Sequence, residues 1–295
     1  MKKLCIYHNN CADGFAAAWV VREFYRGDVD FHAADYNTEP PDVVGRDVII
    51  VDFSYKKPVI EKIIEQCNSL LIIDHHQTSA SELCFMPPAK ESMYSYYGIA
   101  SEHKAQVLFD TSKSGCMLAW KFFYPNRECP TLLKHIQDRD LWKFEIDGTK
   151  EVMASLFSYP YEFDVWDYLM SRYIFESHAE GITLLRKHNK DVAQAVEQTK
   201  RTMCIGDKYV FVANVPKSMS SDACQIMLTE YTPFVASYYD KPSGRAFSLR
   251  SHTTTGMDVA EVAKAYGGGG HKHAAGFTLP YSRIHEFDVD AVDWR

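Results

Sequence analysis

LLIIDHHQTS, residues 70–79, runs four apolar residues straight into Asp74, His75 and His76. A short continuous apolar run suits a strand buried on both faces of a parallel sheet. Its abrupt end on one carboxylate and two imidazoles puts side chains that bind metal or move protons where the strand stops. Two further runs behave the same way. KLCIY (3–7) leads into His8, Cys11 and Asp13, and DVIIV (47–51) leads into Asp52. Between them lie stretches with helical spacing, DGFAAAWVVREFY (13–25) and KPVIEKIIEQC (57–67). Alternating strands and helices predict an α/β fold with a parallel sheet. In such sheets ligands bind beyond the carboxyl ends of the strands, where the loops converge. Three strand ends therefore deliver potential ligands to one edge.

Mixed Asp and His ligation suits a hard or borderline divalent ion, Mn²⁺ first, with Mg²⁺, Fe²⁺ or Co²⁺ as alternatives. Two such ions, about 3.5–4 Å apart, can share a bridging carboxylate and activate water for attack on phosphorus.

Further along, residues 112–137 read as two helices interrupted at YPNRECP (124–130). HAEGITLLRKHNKDVAQAVEQTKRT (178–202) is a long polar helix with a thin apolar stripe, which suits a bridge between domains. KYVFVANV, PFVASYY and RAFSLRS follow as strands, with helices at SDACQIMLTEY and MDVAEVAKAY. The expected organisation is a catalytic, metal-binding domain over 1–180, a linker helix over 181–205, and a smaller α/β domain over 206–295. A chain of 295 residues with 46% hydrophobic content can fill two ordinary cores.

The formal charge of −7 argues against a binder of long nucleic acid, whose affinity rests on many basic contacts to phosphates. Eight cysteines without a CxxC pair suggest neither a zinc knuckle nor a disulfide framework. MKKLCIYHNN lacks the apolar stretch of a signal peptide, and no run approaches a membrane span, so a cytoplasmic location is expected.

Taken together, HNNCADG (8–14), VDFS (51–54), DHH (74–76) and QDRDLW (137–142) resemble the four motifs of the DHH phosphoesterase superfamily. GGGGHKHAAGF (267–277) resembles the signature of its DHH-associated substrate domain. The resemblance implies a parallel-sheet catalytic domain and a substrate-binding domain, as in oligoribonucleases of the nanoRNase type. It also implies roles. His8 and Asp13 become motif-one ligands, Asp52 the bridging carboxylate, His75 a ligand of the second ion, and Asp138 the residue completing that site. Asp140 competes for this last role, and Asp138 is preferred. Asp74 orients a histidine, and His76 contacts the phosphate. One departure stands out. Cys11 occupies the place of the first motif-one aspartate; it ligates as a thiolate, or is spare, with Asn9 or Asn10 supplying an oxygen instead.

In the C-terminal motif, consecutive glycines let backbone N–H groups approach a phosphate or base edge. Gly268, Gly269 and Gly270, with His271 beside them, are expected to hold substrate. Arg250 is read as a bidentate phosphate clamp and Ser251 as a hydroxyl donor. The aromatic clusters YSYYG (94–98) and FSYPYEFDVWDY (157–168) are read as packing, and TSKSG (111–115) as a helix N-cap.

The sequence thus predicts a metal-dependent phosphodiesterase that cleaves short 5′-phosphorylated oligonucleotides, linear dinucleotides such as pApA and pGpG foremost. Superfamily relatives that open cyclic dinucleotides, dephosphorylate 3′-phosphoadenosine 5′-phosphate or cleave polyphosphate define the alternatives. A nucleotide-binding module without activity is another. The expected partner is a short oligonucleotide or dinucleotide, with a homodimer left open and neither long nucleic acid nor a membrane involved.

Overall fold

The computed structural model describes residues 3–35, 38–89, 92 and 103–286; the aromatic cluster at 94–98 lies outside them. The chain divides into two compact units, Met1–Leu185 and Arg186–Arg295.

Unit 1 is built on five parallel strands: β1 (Lys3–His8), β2 (Asp30–Ala34), β3 (Asp47–Val51), β4 (Ser69–Asp74) and β5 (Ala105–Phe109). Their order is β2-β1-β3-β4-β5. Helices cover both faces, which explains why the strands are apolar throughout rather than alternating. On one face Ile49, Val51, Leu71 and Ile73 pack under α1 (Ala12–Tyr25), α4 (Gly115–Phe123) and α5 (Thr131–Asp140). On the other, Val48, Ile50, Leu70 and Ile72 pack with Ile60 and Ile63 of α2 (Lys57–Gln66). Short α3 (Gln77–Glu82) follows β4, and α6 (Thr149–Leu156) and α7 (Phe163–Ser171) complete the first layer.

Cluster 157–168 contributes to this core. Trp166 is fully buried, and Phe15 stacks on Tyr161 and Phe163 and meets Trp166 edge-on. Ala16, Ala17 and Ala18 are fully buried, and their small side chains let α1 lie close to its neighbours.

The long polar helix, α8, runs Ile174–Thr199, earlier than the expected 181–205. Residues 201–205 instead form β6 (Arg201–Ile205), which pairs with β7 (Lys208–Asn214). Unit 2 continues with α9 (Ser220–Met227), β8 (Val235–Lys241), β9 (Gly244–Arg250), α10 (Val259–Ala265), β10 (Gly269–His271) and β11 (Ala274–Leu279). The sheet order is β10-β11-β9-β8-β7-β6, antiparallel except for β7 with β8. One face packs on α10, through Phe247, Phe277 and Ala263. The other packs on α9 and on Val192 and Val196 of α8. The glycine run, read from sequence as a ligand loop, enters a β-hairpin. No described helix is long and apolar enough to cross a membrane.

Candidate metal centre

The parallel register sets Tyr7, Val51 and Ile73 level. His8, Asp52 and Asp74, which follow them, therefore stand abreast at the carboxyl edge of the three central strands. Asp52 leaves β3 at φ +62°, a left-handed conformation that costs a non-glycine residue on the order of 1 kcal/mol and concentrates at functional sites.

Asp13 enters from the first turn of α1. Its Oδ2 accepts the Gly115 N–H at 2.5 Å and its Oδ1 the Cys116 N–H at 2.9 Å. These are among the N–H groups that α4 leaves unpaired at its start, so Asp13 caps that helix from outside and sits at its positive pole. His75 Nε2 lies 3.2 Å from Asp52 Oδ1, 3.6 Å from Asp140 Oδ2 and 3.8 Å from Asp13 Oδ2. On the other side of Asp52, His8 Nδ1 lies 3.5 Å from Oδ2. The ligand atoms of His8, Cys11 and Asp52 fall within 4.8 Å of one another, and so do those of Asp13, Asp52 and His75. Two potential cation positions thus meet at one carboxylate.

Electrostatics agree with that reading. Burial opposes a charged His75, but Asp52, Asp140 and Asp13 raise its pKa to about 10. Burial pushes Asp13 well above the usual carboxylate range, and Asp52 and Asp140 push the same way. Burial also raises Asp140. Asp52 is held well below the usual range by His75 and His8, in spite of its burial. Two buried carboxylates, Asp13 and Asp52, face a third, Asp140, at the rim, and a divalent cation is the counter-charge that lets all three ionise. Both Asp52 oxygens are buried without a hydrogen bond of good geometry; only the rings of His75 and His8, at 3.2 and 3.5 Å, face them, and a cation shared with those rings would satisfy the remaining lone pairs. The donor set therefore fits divalent metal.

Two glycines make room for it. A Cβ on Gly115 would stand 2.6 Å from Asp52 Oδ1 and 3.0 Å from Asp13 Oδ2, and one on Gly14 would stand 2.5 Å from the His8 carbonyl oxygen. Sequence reasoning missed both: Gly14 carries no mark of its own in HNNCADG, and Gly115 ends TSKSG, which reads equally well as a cap. Ser114 does occupy the N-cap of α4.

Asp74 Oδ1 accepts the His75 N–H at 2.7 Å and lies 2.7 Å from His76 Nδ1. Burial works against ionising Asp74, but pairing with His76 lowers its pKa. An ionised Asp74 makes Nδ1 the donor and fixes the ring, leaving Nε2 as the working nitrogen.

Asp138 does not join the centre, and Asp140 does. The Asp138 carboxylate accepts the N–H groups of Glu145 and Ile146 at 2.9 and 3.1 Å and the Thr149 hydroxyl at 2.6 Å. It pins the loop after α5, where Trp142 and Phe144 both have positive φ. The two aspartates are two positions apart on a helix, so their side chains diverge.

Several known proteins are similar to this chain. The "Uncharacterized protein R106" of Acanthamoeba polyphaga mimivirus is 26% identical over 313 residues, which cover 95% of this chain and 70% of that protein. The solved DHH domain of a member of the S1p family of ribosomal proteins has a TM-score of 0.54 at 14% identity, covering 97% of this chain and 84% of that one. A pGpG-specific phosphodiesterase, PggH, from Vibrio cholerae has a TM-score of 0.45 at 10% identity, covering 97% and 96%. Residues 207–294 match the model of the DHHA1 domain. The C-terminal unit thus carries a DHHA1 domain.

Within this DHHA1 unit, the expected substrate residues are more deeply built into the fold than the sequence suggests. Arg250 donates to the Leu249 carbonyl and to Ser221 Oγ, both at 2.9 Å, and burial lowers its pKa. Ser251 donates to the Met257 carbonyl at 2.6 Å and lies 2.9 Å from His273 Nδ1. Its hydroxyl pins a turn. A Cβ on Gly268 would stand 2.1 Å from the Gly276 carbonyl oxygen, and one on Gly270, at φ +141°, 2.6 Å from that of Ala274. These two glycines let the hairpin close on itself. A Cβ on Gly269 would meet nothing within 4 Å, and His271 stands half-buried at the end of β10.

Proposed function

We propose that this chain is a DHH-type, divalent-cation-dependent phosphodiesterase that cleaves short 5′-phosphorylated oligonucleotides, linear dinucleotides foremost, to mononucleotides. The observation that carries the hydrolytic reading is Asp52, a buried carboxylate common to two ligand trios, one of His8, Cys11 and Asp52 and one of Asp13, Asp52 and His75. His8, Cys11 and Asp52 would hold one ion; Asp13, Asp52, His75 and Asp140 would hold the other, with Mn²⁺ the expected metal. Bound ions supply Lewis acidity at the phosphoryl oxygens and a water acidic enough to act as a nucleophile at neutral pH.

The remaining work falls to the protein. Asp74 keeps His76 in one tautomer, and burial opposes but Asp74 favours the protonated ring. His76 can then donate from Nε2 to a phosphoryl oxygen and stabilise charge that grows as the P–O bond breaks. Asp13, anchored by two N–H groups of α4, keeps its position while the charge at the site changes. The preference for short substrates rests on the formal charge of −7, which gives a long phosphate chain little to bind, and on the DHHA1 unit that the superfamily uses for substrate.

A time course with Mn²⁺ and equal concentrations of pApA, pGpG, a five-residue and a ten-residue oligonucleotide, a cyclic dinucleotide, 3′-phosphoadenosine 5′-phosphate and polyphosphate tests the reading. Fastest release of mononucleotides from the linear dinucleotides is expected. A preference for any of the last three would replace the substrate class, and inertness of the metal-loaded protein would leave a binding module.

A further inference from the structure

We propose that Cys11 is a thiolate ligand, so that the two cation positions meeting at Asp52 differ in kind. His8, Cys11 and Asp52 then take a thiophilic or borderline ion such as Zn²⁺, Fe²⁺ or Co²⁺, while Asp13, Asp52, His75 and Asp140 take a hard one such as Mn²⁺ or Mg²⁺. The inference rests on the cation reading above and sharpens it.

Local backbone structure gives the first argument. Cys11 is the N-cap of α1, with φ −131° and ψ 130°, and its side chain makes no cap hydrogen bond. Helices prefer Ser, Thr, Asp or Asn there, because the side-chain oxygen satisfies an orphan N–H. A sulfur is a weaker acceptor than those oxygens, and the Cys11 Sγ lies within 4.8 Å of ligand atoms of His8 and Asp52. Asp52 supplies the independent second argument. Its side chain is 1% exposed, and Oδ2 is buried without a hydrogen bond of good geometry, faced by the ring of His8 with Nδ1 at 3.5 Å. An imidazole, a sulfur and a buried carboxylate oxygen thus stand within 4.8 Å of one another.

Neither asparagine competes well for the place. Asn9 Nδ2 donates to Asp35 Oδ2 at 3.0 Å, which ties that side chain to the end of β2. Asn10 is exposed, with φ +48°.

Ligand chemistry then separates the positions. A nitrogen, sulfur and oxygen set favours Zn²⁺, Fe²⁺ or Co²⁺, whereas carboxylates with one imidazole accept Mn²⁺ or Mg²⁺. On binding, the Cys11 S–H bond breaks, the S–metal bond forms and the proton leaves to solvent.

Cobalt makes the sulfur visible, independently of turnover. The full chain, stripped of metal and kept reduced under argon, is titrated with Co²⁺ and followed by absorption. A thiolate-to-cobalt charge-transfer band in the near ultraviolet is expected with the visible d–d bands. Cys11→Ser should lose the charge-transfer band, and Cys11→Asp should bind two Co²⁺ ions without it, with circular dichroism unchanged in both. Two bound Co²⁺ ions and no such band in the unaltered protein would overturn the role of Cys11 alone, as would a band that survives in Cys11→Ser. Failure to bind Co²⁺ at all would overturn this inference and the hydrolase reading together.

Discussion

Asp138 and Asp140 stand two residues apart and are expected to fail in different ways when altered. Asp140 faces His75, with 3.6 Å between Oδ2 and Nε2, and makes no hydrogen bond that holds the loop together. Asp140→Asn should weaken Mn²⁺ binding in a calorimetric titration and leave the melting temperature of the metal-free chain unchanged or higher, because one of the carboxylates crowded around His75, with its pKa raised, is neutralised. Asp138→Ala should instead leave three donors without an acceptor and cost about 1–3 kcal/mol of stability. Its pH signature follows from sign. Burial works to raise Asp138, but the Thr149 hydroxyl and the Glu145 and Ile146 N–H groups lower its pKa. A depressed carboxylate stabilises the fold above its unfolded value, about 3.9, and that contribution is lost as pH falls through the lower folded value. Thermal melts of Asp138→Asn should therefore show a shallower acid limb below about pH 4; an unchanged limb would return Asp138 to the candidates for the centre.

At the scale of elements, the hairpin β10–β11 separates packing from recognition. Gly268→Ala drives a methyl group into the Gly276 carbonyl and should cost several kcal/mol, by forced backbone movement, seen as a lowered melting transition of unit 2. Gly269→Ala has open space and should cost less than about 1 kcal/mol. Any loss of dinucleotide affinity in Gly269→Ala at preserved stability would then report a ligand at that loop. This pair also shows what sequence can carry. Strands that end on His8, Asp52 and Asp74 were legible because strands buried on both faces must be apolar, so a polar residue marks the end. The glycine run was not, since glycine for close backbone packing and glycine for close ligand approach look alike in one dimension. β2, β5 and the edge strands escaped for a related reason: DFHAA and AQVLF are five residues long and lack strict alternation. The choice between Asp138 and Asp140 needed the helical phase of α5, and a two-residue error in that phase turns a side chain to the far side. Gly14 and Gly115 became visible only when Asp52 was placed against them.

For the molecule as a whole, an acidic chain with a small phosphate footprint predicts weak dependence on salt. If one or two phosphates of a dinucleotide are held, raising salt from about 50 to 200 mM should weaken apparent affinity by less than about tenfold. A groove that tracks six or more phosphates would lose about a thousandfold or more over the same range. Fluorescence anisotropy with a labelled, non-cleavable dinucleotide distinguishes the two. The shared pocket of Asp13, Asp52 and Asp140 has one further consequence, for the lifetime of the protein. Ions that bind the native pocket and not the unfolded chain add RT ln(1 + [ion]/Kd) to stability, about 2.7 kcal/mol at a hundredfold excess over Kd. Chelation should thus lower the melting transition of unit 1 and leave that of unit 2 in place, and limited proteolysis should open the strands around Asp52 first. Supply of metal would then govern how much of this protein survives degradation, as well as how fast each copy turns over.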